Sequence, residues 1–158
     1  MPSGGECVTT SSRFIPQRVC CGKTRSPRLK ETALPTRNLT SADFASTIAT
    51  EDIVLVDFWA AWCGPCRMFA PIYEAASETH TDIIFGKIDT EAEQSLAATA
   101  RITSIPTLMA FRDGILVFSQ PGALPAAALE QVIEAVRGLD MDDVRRQVEA
   151  QQTDDVTA

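Results

Sequence analysis

The chain has 158 residues, of which 45% are hydrophobic and 22% charged, with a formal net charge of −7. That is enough chain for one domain with a proper core plus appendages, in the composition range of soluble globular proteins, and no apolar run approaches the ~18 residues of a membrane span. The charge is split: residues 1–37 carry seven Lys/Arg against two acids and residues 38–158 seven against nineteen, so the acidic body offers nucleic acid no basic patch.

The first 35 residues contain Pro2, Pro16, Pro27 and Pro35 among many Ser and Thr, with no helical or alternating period. They read as a disordered basic extension. Their Arg- and Ser-rich, acid-poor composition roughly fits a transit peptide, but no amphipathic helix is evident. A secretory signal needs an apolar stretch of ~7–15 residues, and these residues contain none.

The body begins near Thr36. Leu39 to Phe44 reads as a helix start: Thr40 can cap, Asp43 can answer from the third position, and Leu39 can staple to Phe44. This helix runs to about Thr50. Residues 53–59, Ile-Val-Leu-Val-Asp-Phe-Trp, are apolar and rich in β-branched side chains, as a buried central strand should be. Met68, Phe69, Ile72, Tyr73 and Ala76 then recur at helical spacing, with Pro71 expected to kink the helix. Ile83 to Asp89 reads as a second strand. Thr90 and Glu93 have the spacing of a capping box and open a helix to about Ala100. Residues 107–111 and 115–119 flank Arg112-Asp113-Gly114, a hairpin signal. Pro125 opens a last helix with Leu129, Val132, Ile133 and Val136 on one face, and Gly138 ends it. In residues 139–158, Met141, Val144 and Val148 form a weak apolar stripe, compatible with a short helix or with a solvated tail. The predicted order is β-α-β-α-β-α-β-β-α. It begins with parallel crossovers and ends in an antiparallel hairpin, so an α/β domain over residues 36–138 with a mixed sheet is expected.

The chemistry lies at residues 62–66, Trp-Cys-Gly-Pro-Cys, directly after the central strand. Two thiols three residues apart can close a disulfide with each other and open it again. Cys63 falls where a helix begins. Free N–H groups and the helix dipole favour an anion there, so its thiol should ionise more readily than usual. The thiolate attacks a substrate disulfide to give a mixed disulfide, which Cys66, one turn further in, resolves. Gly64 lets a partner's backbone approach closely and Pro65 stiffens the turn. Metal binding is the usual rival for such a pair, but zinc sites pair two of these motifs or add histidines. The one histidine, His80, is expected on the surface near the end of the motif's helix, with no role, and no metal is expected. The remaining cysteines, Cys7, Cys20 and Cys21, lie in the extension. An odd count, with none in the body outside the motif, fits a reducing intracellular compartment better than a disulfide-stapled secreted scaffold.

Asp57 interrupts the apolar strand. Either alternation turns it to solvent, or it is a buried acid/base with a raised pKa that takes the proton from Cys66. Ile105-Pro106 stands at a strand entrance, where proline cannot donate to the ladder; a cis bond there would lock a turn. Trp59 reads as core packing. Trp62 either meets substrate from the surface or packs against the motif.

Residues 58–66, Phe-Trp-Ala-Ala-Trp-Cys-Gly-Pro-Cys, then Ile105-Pro106-Thr107, then Gly122-Ala123-Leu124, in that order and at that spacing, resemble the thioredoxin family over residues 36–138. The stretches 105–111 with Gly114, and 120–125, are similar to its bacterial branch. The resemblance implies a thioredoxin fold, with a central mixed sheet of about five strands flanked by about four helices. It implies protein-disulfide reduction without a bound cofactor, on disulfide-containing client proteins, with recharging by an NADPH-dependent thioredoxin reductase. It implies a redox disulfide between Cys63 and Cys66, with Cys63 as nucleophile, Cys66 as resolving thiol, Asp57 as buried acid and Pro106 as a cis-proline. Trp62, Gly64, Pro65, Ile105, Pro106, Gly122 and Ala123 resemble the surface that receives substrate. The Gly-Pro between the cysteines resembles the reductants of the superfamily. A cytoplasmic monomer with no membrane or nucleic-acid partner is expected, or an organellar protein if residues 1–35 are a transit peptide. Two departures stand out. Many thioredoxins place a lysine beside the buried acid, and the nearest here, Lys87, counts two residues out of register. A zinc-carrying subgroup has two Cys-x-x-Cys pairs in an N-terminal extension; this extension has neither, so zinc is not carried over.

Overall fold

The computed structural model describes residues 36–156, so the extension with Cys7, Cys20 and Cys21 lies outside the described residues. In chain order the elements are β1 (Arg37–Asn38), α1 (Ser41–Thr50), β2 (Ile53–Trp59), α2 (Gly64–Thr79), β3 (Ile84–Asp89), α3 (Gln94–Thr99), β4 (Thr107–Arg112), β5 (Ile115–Pro121), α4 (Ala126–Gly138) and α5 (Met141–Val156). The apolar run 53–59 becomes the middle strand of one five-stranded sheet, ordered β1-β3-β2-β4-β5. β3 runs parallel to β1 and β2, and β4 runs antiparallel to β2 and β5, so the sheet is mixed. Among the described residues five helices accompany it: the four expected over the body and α5, so the stretch Met141–Val156 takes the helical one of its two readings.

Alternation along β2 sorts the core into two layers. Leu55 joins Phe69, Tyr73, Phe85, Leu108, Leu129 and Ile133 on the side of α2 and α4. Val54, Val56 and Phe58 join Ile88, Met109 and Phe111 on the other side, with Phe44 and Ile48 of α1 and Leu96 of α3 packed against them. Asp57 and Trp59 share the alternation of Leu55, and therefore its face.

Local chemistry explains most element ends. The Thr40 hydroxyl caps α1, accepting from the Asp43 N–H at 3.3 Å and donating to the Asp43 carboxylate at 2.8 Å. The β4–β5 turn places Asp113 and Gly114 at φ of +51° and +78°, which matches the right-handed twist of a two-residue hairpin. α2 continues through Pro71 as one helix. α3 departs from expectation. It starts at Gln94, and Glu93 makes no capping bond. The Glu93 carboxylate instead accepts from the Ser41 N–H at 3.0 Å, and the Thr90 hydroxyl donates to the Trp59 carbonyl at 3.1 Å. Both side chains of the expected capping box are taken by partners distant in sequence.

At the far end, the Arg112 guanidinium donates to the carbonyls of Val136, Arg137 and Leu139 at 2.7–2.9 Å, closing the C-terminus of α4. α5 is tied down by the buried Met141 and by Arg145, which pairs with Asp113 at 2.7 Å.

Candidate active site

β2 ends at Trp59, and a short turn carries the chain to α2, with the Cys63 N–H donating to the Ala60 carbonyl at 3.2 Å. Cys63 is the N-cap of α2, and its Sγ accepts from the Cys66 N–H at 3.2 Å. A sulfur thus stands where a serine or threonine hydroxyl usually caps, at the positive end of the helix dipole. Pro65 costs no hydrogen bond in the first turn, where N–H groups have no intrahelical partner. Cys63 and Cys66 are joined as a disulfide, their Cα atoms 5.3 Å apart. Both residues are only 3% exposed.

Three further segments meet this turn. The Ile105 carbonyl oxygen lies 3.8 Å from Cys63 Sγ. Ile105-Pro106 is a cis peptide, and the buried Pro106 accepts a 2.8 Å hydrogen bond from the Gly122 N–H. Gly122 takes φ +101°, a backbone conformation that glycine adopts readily, and Ala123 beyond it is exposed. A Cβ added at Gly64 or at Gly122 would meet nothing within 4 Å, so both glycines border open space. Trp62 is 68% exposed, so its ring is not packed away against the motif. It forms one wall of an open groove of about 520 Å³ whose other walls come from α3 and from residues 102–105. Among the described residues no cluster of three or more His, Cys, Asp or Glu side chains could hold a metal ion.

One buried carboxyl lies on the face of β2 that α2 covers. Asp57 is 1% exposed, and neither carboxylate oxygen has a hydrogen-bond partner. Alternation does not turn it to solvent, because α2 covers that face. Cys66, Phe69, Tyr73 and Ala76 form the buried stripe of α2. Burial pushes the Asp57 carboxyl from 3.8 up to about 7, against the pull of the Lys87 ammonium. Burial, and next the negative charge of Asp57, hold the Tyr73 phenol well above its ordinary range. Its hydroxyl donates to the Gly86 carbonyl at 3.0 Å.

Two expectations are corrected here. Lys87 is not out of register: β2 and β3 pair Asp57 directly with Lys87. The Lys87 ammonium sits 3.6 Å from the Glu74 carboxylate and 5.3 Å from the centre of the Trp59 ring. Sequence reading missed Glu74 altogether, since an exposed carboxylate on a helix carries no signal of its own. His80, expected on the surface, is partly buried instead. Its side chain is 12% exposed and its Nε2 lies 2.8 Å from the Glu130 carboxylate of α4.

A family model described as Thioredoxin matches residues 35–135. The "Putative thioredoxin 2" of Streptomyces coelicolor is 54% identical over 117 residues, covering 74% of this chain and 87% of that one. The thioredoxin of Mycobacterium tuberculosis is 44% identical over 96 residues, covering 60% and 83%. Among solved structures, a Plasmodium falciparum thioredoxin superposes with a TM-score of 0.60 at 39% identity, covering 63% of this chain and 98% of its own.

Proposed function

The chain belongs to the thioredoxin family of thiol–disulfide oxidoreductases, and we propose that Cys63 is the nucleophile, Cys66 the resolving thiol and Asp57 the base of its dithiol–disulfide exchange. The observation that carries this reading is the Cys63–Cys66 disulfide at the start of α2, the helix that covers the face of β2 bearing a buried carboxyl with no hydrogen-bond partner.

In the reduced protein, the N-terminal N–H groups and dipole of α2 stabilise negative charge on Cys63 Sγ. The thiolate attacks one sulfur of a substrate disulfide. That S–S bond breaks, a mixed disulfide forms, and the first substrate sulfur leaves as a thiolate that takes a proton. The Cys66 thiol then gives its proton to Asp57 and attacks Cys63 Sγ. The mixed disulfide breaks, the second substrate sulfur leaves and is protonated, and the Cys63–Cys66 disulfide closes. Two electrons have passed from the cysteine pair to the substrate. A carboxyl that titrates near 7 is suited to this transfer, because it is partly ionised at neutral pH yet basic enough to accept a thiol's proton. We assign Trp62, Gly64, Pro65, Ile105, Pro106, Gly122 and Ala123 to the surface on which the client docks, with the Ile105 carbonyl 3.8 Å from Cys63 Sγ. Thioredoxin reductase, drawing on NADPH, reopens the disulfide. The pair does useful work only where that supply exists, which supports a reducing, cytoplasmic setting.

Reduction of insulin disulfides tests the assignment. Cys63→Ser should abolish turnover, and Cys66→Ser should accumulate mixed disulfides joined through Cys63. Full activity in Cys63→Ser, or trapped clients attached to another cysteine, would move the chemistry elsewhere in the chain.

A further inference from the structure

We propose that Glu74 is a positioning residue for the exchange: it holds the Lys87 ammonium beside itself and the Trp59 ring, so that the buried Asp57 carboxyl has no ion-pair partner of its own. The inference rests on the reading of Asp57 as the acceptor of the Cys66 proton.

The register makes the arrangement unexpected. Lys87 lies directly across from Asp57 in the parallel β2–β3 pair, and a lysine there is the natural partner for a buried carboxylate. Yet its ammonium is found 3.6 Å from Glu74 and over the Trp59 ring. Both Asp57 oxygens stay without a hydrogen bond, and no ion pair joins them to Lys87 among the described residues. The other groups facing Asp57 do not offer a cation. α2 contributes Cys66, held in the disulfide, and the Tyr73 phenol, whose proton goes to the Gly86 carbonyl. β4 places the apolar Leu108 opposite.

Glu74 is half exposed, whereas the Lys87 side chain is only 15% exposed, so the pair forms at the rim with its anion on the solvent side. This geometry sets the strength of the base. An opposite charge within ~4–6 Å of a carboxyl lowers its pKa by about 1–3. With Lys87 free to close on it, Asp57 would stay ionised well below neutral pH and would be a poorer acceptor for a thiol's proton.

The test is a titration of the oxidised full-length protein, with the Asp57 carboxyl carbon followed by NMR after ¹³C labelling of aspartate. Glu74→Gln should lower the Asp57 midpoint by about one pH unit or more. Glu74→Asp should restore most of the difference. Lys87→Met should raise the midpoint, and Glu74→Gln added to Lys87→Met should move it by less than about a third as much as it does alone. An unmoved midpoint in Glu74→Gln overturns the proposal. So does an equal fall in the Lys87→Met background, which would leave only the direct charge of Glu74. A wild-type rate of Cys66 attack on the mixed disulfide in Asp57→Asn overturns the base reading instead, and removes the catalytic purpose of the pair whatever midpoint the NMR shows.

Discussion

Asp57→Asn should stabilise the oxidised protein by an amount that grows with pH. In the unfolded chain the carboxyl titrates near 3.8, and in the fold burial moves it to about 7. Between those values the folded protein binds more protons than the unfolded chain, so stability is greatest below about 3.8 and is lost as pH rises through about 7. At about 1.4 kcal/mol for each pH unit of displacement, the full penalty above pH 7 is on the order of 4 kcal/mol. Solvent screening removes little of it, because Asp57 is 1% exposed. Roughly 2–3 kcal/mol of the penalty accrues between pH 5 and pH 8. Asparagine cannot ionise, so the variant lacks this fall, while contributions from every other titrating group cancel in the comparison. Urea unfolding of the two oxidised proteins at pH 5, 6, 7 and 8 therefore reads the effect directly. The gap in unfolding free energy should open by about 2–3 kcal/mol across the series. Curves that stay parallel would refute the claim that a carboxylate is being ionised inside the fold.

The remaining predictions concern the surface and the core. Trp62→Ala should leave stability within about 0.5 kcal/mol, since the ring is mostly exposed, yet raise KM for a protein disulfide several-fold while sparing kcat on a small aromatic disulfide. Equal losses on both substrates would mean that Trp62 supports the motif rather than touching clients. Gly86→Ala would drive a methyl group into the Leu39 side chain, and overpacking of this kind costs about 1–3 kcal/mol. A thermal melt unchanged from wild type would show that Leu39 swings aside without cost.

The parts of this structure legible in the sequence are those set by neighbours in the chain. The run 53–59 has the composition of a buried middle strand, Thr40 and Asp43 carry their cap between them, and Asp113-Gly114 forms its hairpin turn alone. Cys63 is readable as an N-cap because the strand before it and the helical period after it leave only that place for it. What escaped reading depends on contacts between distant segments. The register of β3 is set by how residues 80–83 turn after α2, where the Ile83 N–H donates to the His80 carbonyl at 3.1 Å, and a count along one strand does not reveal it. His80 is covered because Glu130, fifty residues on, reaches it from α4. Glu93 was drawn away from its expected cap by Ser41, fifty-two residues back. Glu74 acquires meaning only once Lys87 is known to face Asp57.

The same contrast explains why one charged residue can sit in the middle of this core. The period of two along β2 places Asp57 on the face of Leu55 and Trp59, and the buried stripe of α2 lays Cys66 and Tyr73 over that face. The strand that delivers the nucleophile to the start of α2 therefore also delivers the acid beneath that helix, six residues earlier. A slip of one residue in the register of β2 would turn Asp57 toward α1 and α3, on the far side of the sheet from Cys66, and would expel Val54, Val56 and Phe58 from their layer at the same time. The position of the acid is thus held by the packing of three apolar side chains that have no chemistry of their own. Its cost in stability is met by that packing, and only the lateral position of Lys87 is left for a surface carboxylate to set.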